Sequence, residues 1–225
     1  DHYAKDIENR DHLRLITGTD FDTLTAAELQ GIAAWLDGRP EPPTRYAPLP
    51  HQARALTDIA TTLETHPRAT VVMACGTGKT LVALWATEQQ APATVLVLVP
   101  SLVLLRQLLG EWSRQTQWGA RFEYLCVCSD ETVTRDDAMQ MRTTEVPFPV
   151  DTDPAVVRQF LTRPSTSSVR VVFSTYHSSK VVAEGSRGLA PFDVGIFDEA
   201  HKTTGERDGT FALALDDAEI AIRKR

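Results

Sequence analysis

The feature that most restricts the fold is a series of short apolar runs, two of them followed directly by segments with helical spacing. ATVVMA (69–74), TVLVLV (94–99), RFEYLCVC (121–128), VRVVFS (169–174) and FDVGIF (192–197) are rich in valine and other β-branched or aromatic residues, the composition of strands. The runs are apolar throughout, without strict alternation, so each strand needs cover on both faces. GKTLVALWATEQQ (78–90) and SLVLLRQLLGEWSRQ (101–115) have helical spacing, the second with Ser101 as its cap. Buried strands separated by helices predict an α/β fold, a doubly wound and mostly parallel sheet with helices on both faces.

Composition sets the number of domains. With 225 residues, 42% of them hydrophobic, the chain can bury the core of one domain of ordinary to large size with a short appendage, not two full domains. Residues 1–40 are polar and charged, with a short helical pattern in TAAELQGIAAWLDG that Thr25 caps and Gly38 stops, and are expected to form a helical coupling segment or the tail of a preceding domain. RPEPPTRYAPLP carries five prolines in twelve residues and marks the entry to the main domain, residues 41–225. The polar stretch 129–168 interrupts the rhythm as a surface insertion, within which Asp153-Pro154 starts a helix. The chain opens on Asp1 and closes on the basic RKR, which leads us to expect a piece of a longer protein.

Charge and cysteine content remove several function classes. A formal net charge of -7 gives no overall basic footprint, so any nucleic-acid contact has to come from a local patch, backbone amides or helix ends. The longest apolar run is far too short to span a bilayer and no signal segment opens the chain, so a cytoplasmic protein with no membrane partner is expected. Cys126 and Cys128, two apart in a strand, share a face with Phe122 and Tyr124 and read as small buried apolar groups in a reducing compartment.

The chemistry is concentrated in two places. MACGTGKT (73–80) is a phosphate-loop pattern with Met73 where the first glycine of G-x-x-x-x-G-K-[ST] would stand. Gly76 and Gly78, with Thr77 between them, let backbone N–H groups approach an anion, and the helix that follows points its positive end at the same place. Lys79 then reaches the β and γ phosphates and the Thr80 hydroxyl binds Mg²⁺. By itself this is compatible with a glycine-rich structural turn. VGIFDEAH (194–201) supplies the second half: a strand delivering Asp198 and Glu199 at its carboxyl end, where ligands of open α/β sheets gather. Asp198 can hold Mg²⁺ and Glu199 can orient and activate the attacking water, which makes the pair of motifs a site for ATP and Mg²⁺.

In chain order, LPHQARAL (49–56), MACGTGKT (73–80), PSLVLLRQ (100–107), FSTYHS (173–178) and DEAH (198–201) resemble the first RecA-like motor domain of superfamily 2 helicases and translocases, over residues 45 to about 205. In that superfamily the first loop position is often not glycine, which accommodates Met73. The resemblance implies a RecA-like fold in which Gln52 reads the adenine edge, with Tyr46 or Arg45 stacking on the base. It also implies that His201 couples hydrolysis to a partner domain. Pro100, Ser101, Thr175 and Tyr176 would then lie on the face that tracks a nucleic-acid strand, giving hydroxyls and helix-start amides to phosphates. Where many relatives have arginine, this chain has Leu102.

DEAHKTTG, the TYHS form and PVDTDPAVVRQFL are most similar to the motor subunits of DNA restriction and phage-defence systems, type ISP enzymes among them. That similarity implies an ATP-dependent DNA helicase or translocase, with DNA preferred over RNA as partner. A second RecA-like domain with an arginine finger, and nuclease or methyltransferase modules, are expected elsewhere in the full-length chain. Without the finger, the isolated chain is expected to be a nearly inactive ATPase. An RNA helicase motor and an NTP-driven switch that does not translocate are the alternatives.

Overall fold

The computed structural model describes residues 45–128, 149–164, 168–200 and 216–225, together with Leu29, Ile32, Ala33 and Leu36, which are helical. The chain divides into two compact units, Asp1–Thr44 and Arg45–Arg225, and the second contains both motifs. Thr25, Gly38, His201 and most of the polar insertion lie outside the described residues.

Six strands of the second unit form one sheet: β1 (Thr94–Val99), β2 (Phe122–Val127), β3 (Val150–Asp151), β4 (Val169–Thr175), β5 (Phe192–Phe197) and β6 (Ile222–Lys224). They stand in the order β3-β2-β4-β1-β5-β6, and every pairing is parallel. β1 lies between β4 and β5, so its backbone is bonded on both edges and Val95 to Val99 are fully buried. Burying each of these side chains contributes roughly 1.5–3 kcal/mol, which explains why the run TVLVLV has no polar position after its first residue.

The helices are α1 (Pro50–Thr65), α2 (Lys79–Gln89), α3 (Leu102–Gln115), α4 (Pro154–Thr162) and α5 (Ser179–Ser186). Strand alternation sorts the core into two layers. Val95, Val97 and Val99 face one side with Leu84 of α2 and Leu105, Leu108 and Trp112 of α3. Leu96 and Leu98 face the other side with Val157 and Phe160 of α4 and Val182 and Ala183 of α5. The fold is therefore the expected α/β arrangement, a RecA-like parallel sheet covered on both faces. α2 is itself covered twice: Leu84 meets the sheet, while Val82 and Ala86 pack on Leu56, Ile59 and Leu63 of α1. The absence of a polar stripe in KTLVALWATEQ follows from that position.

Local signals act as read. Ser101 caps α3, its hydroxyl accepting from Leu104 N at 3.4 Å. Asp153 caps α4 by accepting from Ala155 N at 2.8 Å, with Pro154 in the first turn. The expected strand over 69–74 is a correction. Ala69 N donates to Arg225 O and Arg225 N to Pro67 O, both at 2.8 Å, a single parallel bridge beyond which no ladder is present among the described residues. Ala69 and Met73 still turn toward the α1–α2 cluster, while Val72 is 92% exposed. An apolar run becomes a strand only where another backbone lies beside it, and here that neighbour reaches residue 69 alone.

Burial pushes the Cys126 thiol well above its ordinary range, and neighbouring Cys128 adds to the shift, whereas Cys75 is exposed. A raised thiol is protonated at neutral pH and a poor nucleophile. Titration of the native protein with Ellman's reagent is therefore expected to modify Cys75 quickly and to reach Cys126 and Cys128 only after denaturant is added; fast reaction of all three would contradict this packing.

Candidate nucleotide site

The register of the central strands brings the acidic pair to the same edge as the ends of β1 and β4. Val99 of β1 is opposite Thr175 of β4, and Leu98 of β1 is opposite Phe197 of β5. Pro100, Tyr176 and Asp198 therefore leave the same carboxyl edge of the sheet side by side. The amide of Asp198 donates to Leu98 O at 2.9 Å, extending the ladder one residue past β5 and fixing where the acidic pair begins.

The glycine-rich loop enters from the other direction. Gly76 and Gly78 have φ of 77° and 83°, the left-handed region that side chains other than glycine rarely adopt. Gly78 is also the N-cap of α2, no side chain caps that end, and its carbonyl accepts from Leu81 N and Val82 N at 3.1 Å. Thr77 braces the turn, its hydroxyl donating to Ala74 O at 2.7 Å. The helix thus presents uncapped N–H groups and the positive end of its dipole toward the mouth of the loop.

Gln52 holds this loop from α1. Its Oε1 accepts from Leu49 N at 2.8 Å and its Nε2 donates to Thr77 O at 2.9 Å, with the side chain only 4% exposed. His51 Nε2 donates to the same carbonyl at 3.2 Å. A carboxamide has two donor hydrogens and two acceptor lone pairs, so one of each is left for a base edge. The peptide between Thr77 and Gly78 is trans; with its carbonyl turned toward α1, the Gly78 N–H points the opposite way. A Cβ on Gly78 would lie 2.3 Å from Gln52 Nε2, so the glycine is required by room as well as by backbone angle. Tyr46, the expected stacking residue, is 61% exposed, and its backbone N–H is tied to Gln115 Oε1 at 2.8 Å.

Lys79 and Glu199 meet. Lys79 Nζ lies 3.9 Å from Glu199 Oε1, with the two side chains 37% and 29% exposed. Glu199 holds a φ of 52°, uncommon for a residue with a side chain, and its N–H donates to Asp198 Oδ1 at 3.1 Å. Thr80 is half-buried. Its carbonyl accepts from Trp112 Nε1 at 3.2 Å, which ties the start of α2 to α3.

The residues expected on a nucleic-acid face are arranged less openly. Pro100 is half-buried, and the Ser101 hydroxyl is engaged in capping α3. Thr175 and Tyr176 are fully buried: the Thr175 hydroxyl donates to Ser178 Oγ at 3.2 Å and the Tyr176 hydroxyl to Asp198 O at 2.8 Å. Burial, with the charges of Asp198 and Glu199 adding to it, pushes the Tyr176 phenol far above its ordinary range, so it stays a donor. Both hydroxyls are thus bonded within the protein in this structure. Sequence reasoning also missed His51 and Trp112: the first stands beside the glutamine it had singled out, and the second gave no signal beyond a large apolar residue on a helix.

A family model described as type III restriction enzyme, res subunit, matches residues 45–219. The chain belongs to that family. Its res-subunit domain is similar in structure to the type ISP restriction-modification enzyme LlaBIII bound to DNA, with a TM-score of 0.70 and 28% identity over 81% of this chain and 12% of that one. It is also similar to a nuclease-deletion mutant of LlaGI in complex with a DNA substrate mimic, with a TM-score of 0.64 and 26% identity over 80% of this chain and 17% of that one. Among curated proteins, a probable helicase of African swine fever virus is 34% identical over 142 residues, 62% of this chain. The chain spans 14% of the length of that relative. These findings make the domain a superfamily 2 helicase motor domain.

Gly78→Ala is expected to destabilise the domain by about 1–3 kcal/mol from the left-handed backbone alone and to abolish nucleotide binding. In Gly78→Ala/Gln52→Ala the clash is gone but the backbone penalty stays, so urea melts should show partial recovery of stability without recovery of binding. Full recovery of both would mean that the backbone angle does not matter.

Proposed function

We propose that this domain is the ATP-binding half of an ATP-dependent DNA helicase or translocase within a bacterial restriction or phage-defence enzyme. The observation that carries the reading is the approach of Lys79 to Glu199 at the carboxyl edge of the sheet, where the phosphate loop and the acidic pair share one space. The donor chemistry fits magnesium ATP: two left-handed glycines and an uncapped helix start, with Lys79 meeting Glu199 and with the Thr80 hydroxyl and the Asp198 carboxylate next to them in sequence.

Bound magnesium ATP supplies the transferable γ-phosphoryl group and the metal charge that offsets it. The amides of Gly76, Thr77 and Gly78 and the start of α2 would hold the phosphates, and Lys79 would neutralise the β and γ oxygens. Thr80 and Asp198 would hold the metal, Glu199 would orient the water and take its proton, and Gln52 with Tyr46 would receive the adenine. The Lys79–Glu199 pair is partly exposed, and pairs of that kind contribute about 0–1 kcal/mol. An incoming triphosphate can therefore displace it.

DNA is the proposed track because both similar type ISP structures contain DNA or its mimic. Pro100 and Ser101 are proposed to meet the strand through the start of α3 and not through the Ser101 hydroxyl. His201 is proposed to couple hydrolysis to a second RecA-like domain, and nuclease or methyltransferase modules are proposed for the rest of the protein.

Three results test the reading. Lys79→Ala should abolish ATP binding in isothermal titration. Glu199→Gln should bind ATP normally and lose DNA-stimulated hydrolysis in the full-length protein; turnover that survives the change excludes Glu199 as the group preparing the water. Because a missing arginine finger forfeits about 10³–10⁵ in turnover, residues 1–225 alone should hydrolyse ATP barely, and robust DNA-stimulated phosphate release by this chain would refute that division of labour.

A further inference from the structure

The phosphate chemistry leaves one buried polar group at the site without a role. Tyr176 opens the short 3-10 turn Tyr176–Ser178 after β4, and its ring is fully buried among Leu98, Val172 and Val182 on the α4–α5 face of the sheet. A phenylalanine would fill that space equally well, so packing does not account for the hydroxyl. The hydroxyl donates to the main-chain carbonyl of Asp198 at 2.8 Å.

That carbonyl belongs to the peptide joining Asp198 to Glu199. The N–H of the same peptide donates to Asp198 Oδ1 at 3.1 Å, so both polar groups of one peptide plane are held. The next torsion is the φ of Glu199, which stands at 52°. A residue with a side chain keeps such a backbone angle only where its surroundings hold it there. From that angle the Glu199 carboxylate comes to 3.9 Å from Lys79 Nζ.

We propose that Tyr176 is a positioning residue for hydrolysis, its hydroxyl fixing the Asp198–Glu199 peptide so that the Glu199 carboxylate is aimed at the γ-phosphate. The role rests on the function proposed above. It assigns to the tyrosine of FSTYHS a task inside the ATP site, on the sheet face opposite to α2 and α3. Without the hydroxyl the peptide plane can rotate, and Glu199 relaxes toward an ordinary backbone angle that carries its carboxylate away from the water. The amides of the loop and Gln52 are untouched by that rotation, and Lys79 loses only its weak, partly exposed pair with Glu199, so binding and turnover respond differently.

The test is Tyr176→Phe in the full-length protein, with DNA present. Thermal melting, affinity for a fluorescent ATP analogue, and steady-state kcat and KM are measured beside the unaltered protein. The expected result is a folded variant with nucleotide affinity within about twofold of the parent and kcat lower on the order of tenfold, since small misplacements of a reacting group are costly. An unchanged kcat in a folded variant overturns the positioning role, as does an equal fall in affinity and kcat, which would mean general loosening of the cleft. Should the variant not fold, the hydroxyl is needed for stability and the proposal is likewise overturned. A parent protein with no ATPase removes the proposed function and this inference together, whereas an active parent with an indifferent Tyr176→Phe removes the inference alone.

Discussion

The parallel registration of β1 with its two neighbours is the constraint on which the rest depends. Five consecutive buried aliphatic residues hold β1 in the middle of the sheet, and backbone bonds on both edges fix β4 and β5 against it to the residue. A slip of one residue in β5 would turn Val194 and Ile196 to the wrong layer of the core and carry the acidic pair with them. The site is therefore placed by hydrophobic sorting of side chains that never meet a nucleotide. The distance between Lys79 and Glu199 is set by apolar packing first and by charge second.

The loop side of the cleft depends on a different kind of restraint. Gln52 and His51 both donate to the Thr77 carbonyl, Thr77 bonds back to Ala74, and Trp112 bonds the carbonyl of Thr80. These bonds arrive from α1, from the loop itself and from α3, so the start of α2 is held from three directions. A net contribution of about 1 kcal/mol for each bond is modest, but they act on a turn with two left-handed residues, where orientation is otherwise loosely determined.

Much of this was legible in the sequence because the signals are local. TVLVLV, VRVVFS and FDVGIF form strands where their composition says, Ser101 and Asp153 cap the helices they precede, and Gly78 sits where only glycine fits. The failures arose where the outcome depends on a partner distant in the chain. ATVVMA has strand composition, yet among the described residues only Arg225 bonds its beginning. The two-residue β3 and the three-residue β6 are too short to leave a periodic signal. Tyr176 follows a strand end, yet its ring packs with Val182 and Ala183 of α5 and with Ile220, while Thr175 is buried with its hydroxyl bonded to Ser178. No local pattern states which side of a sheet a turn will lean toward.

The strand order has a consequence for biosynthesis. β4 is made after β1 and β2, yet it sits between them and supplies the ladder to both. As the polypeptide leaves the ribosome, β1 has no bonding neighbour and β2 has only the two-residue β3 until residues 169–175 emerge, and β1 waits further for β5. Two of the most apolar segments are thus exposed during elongation, and closing loops of this length makes parallel pairing slow. The nascent chain is most open to self-association in that interval, before any part of the nucleotide cleft exists.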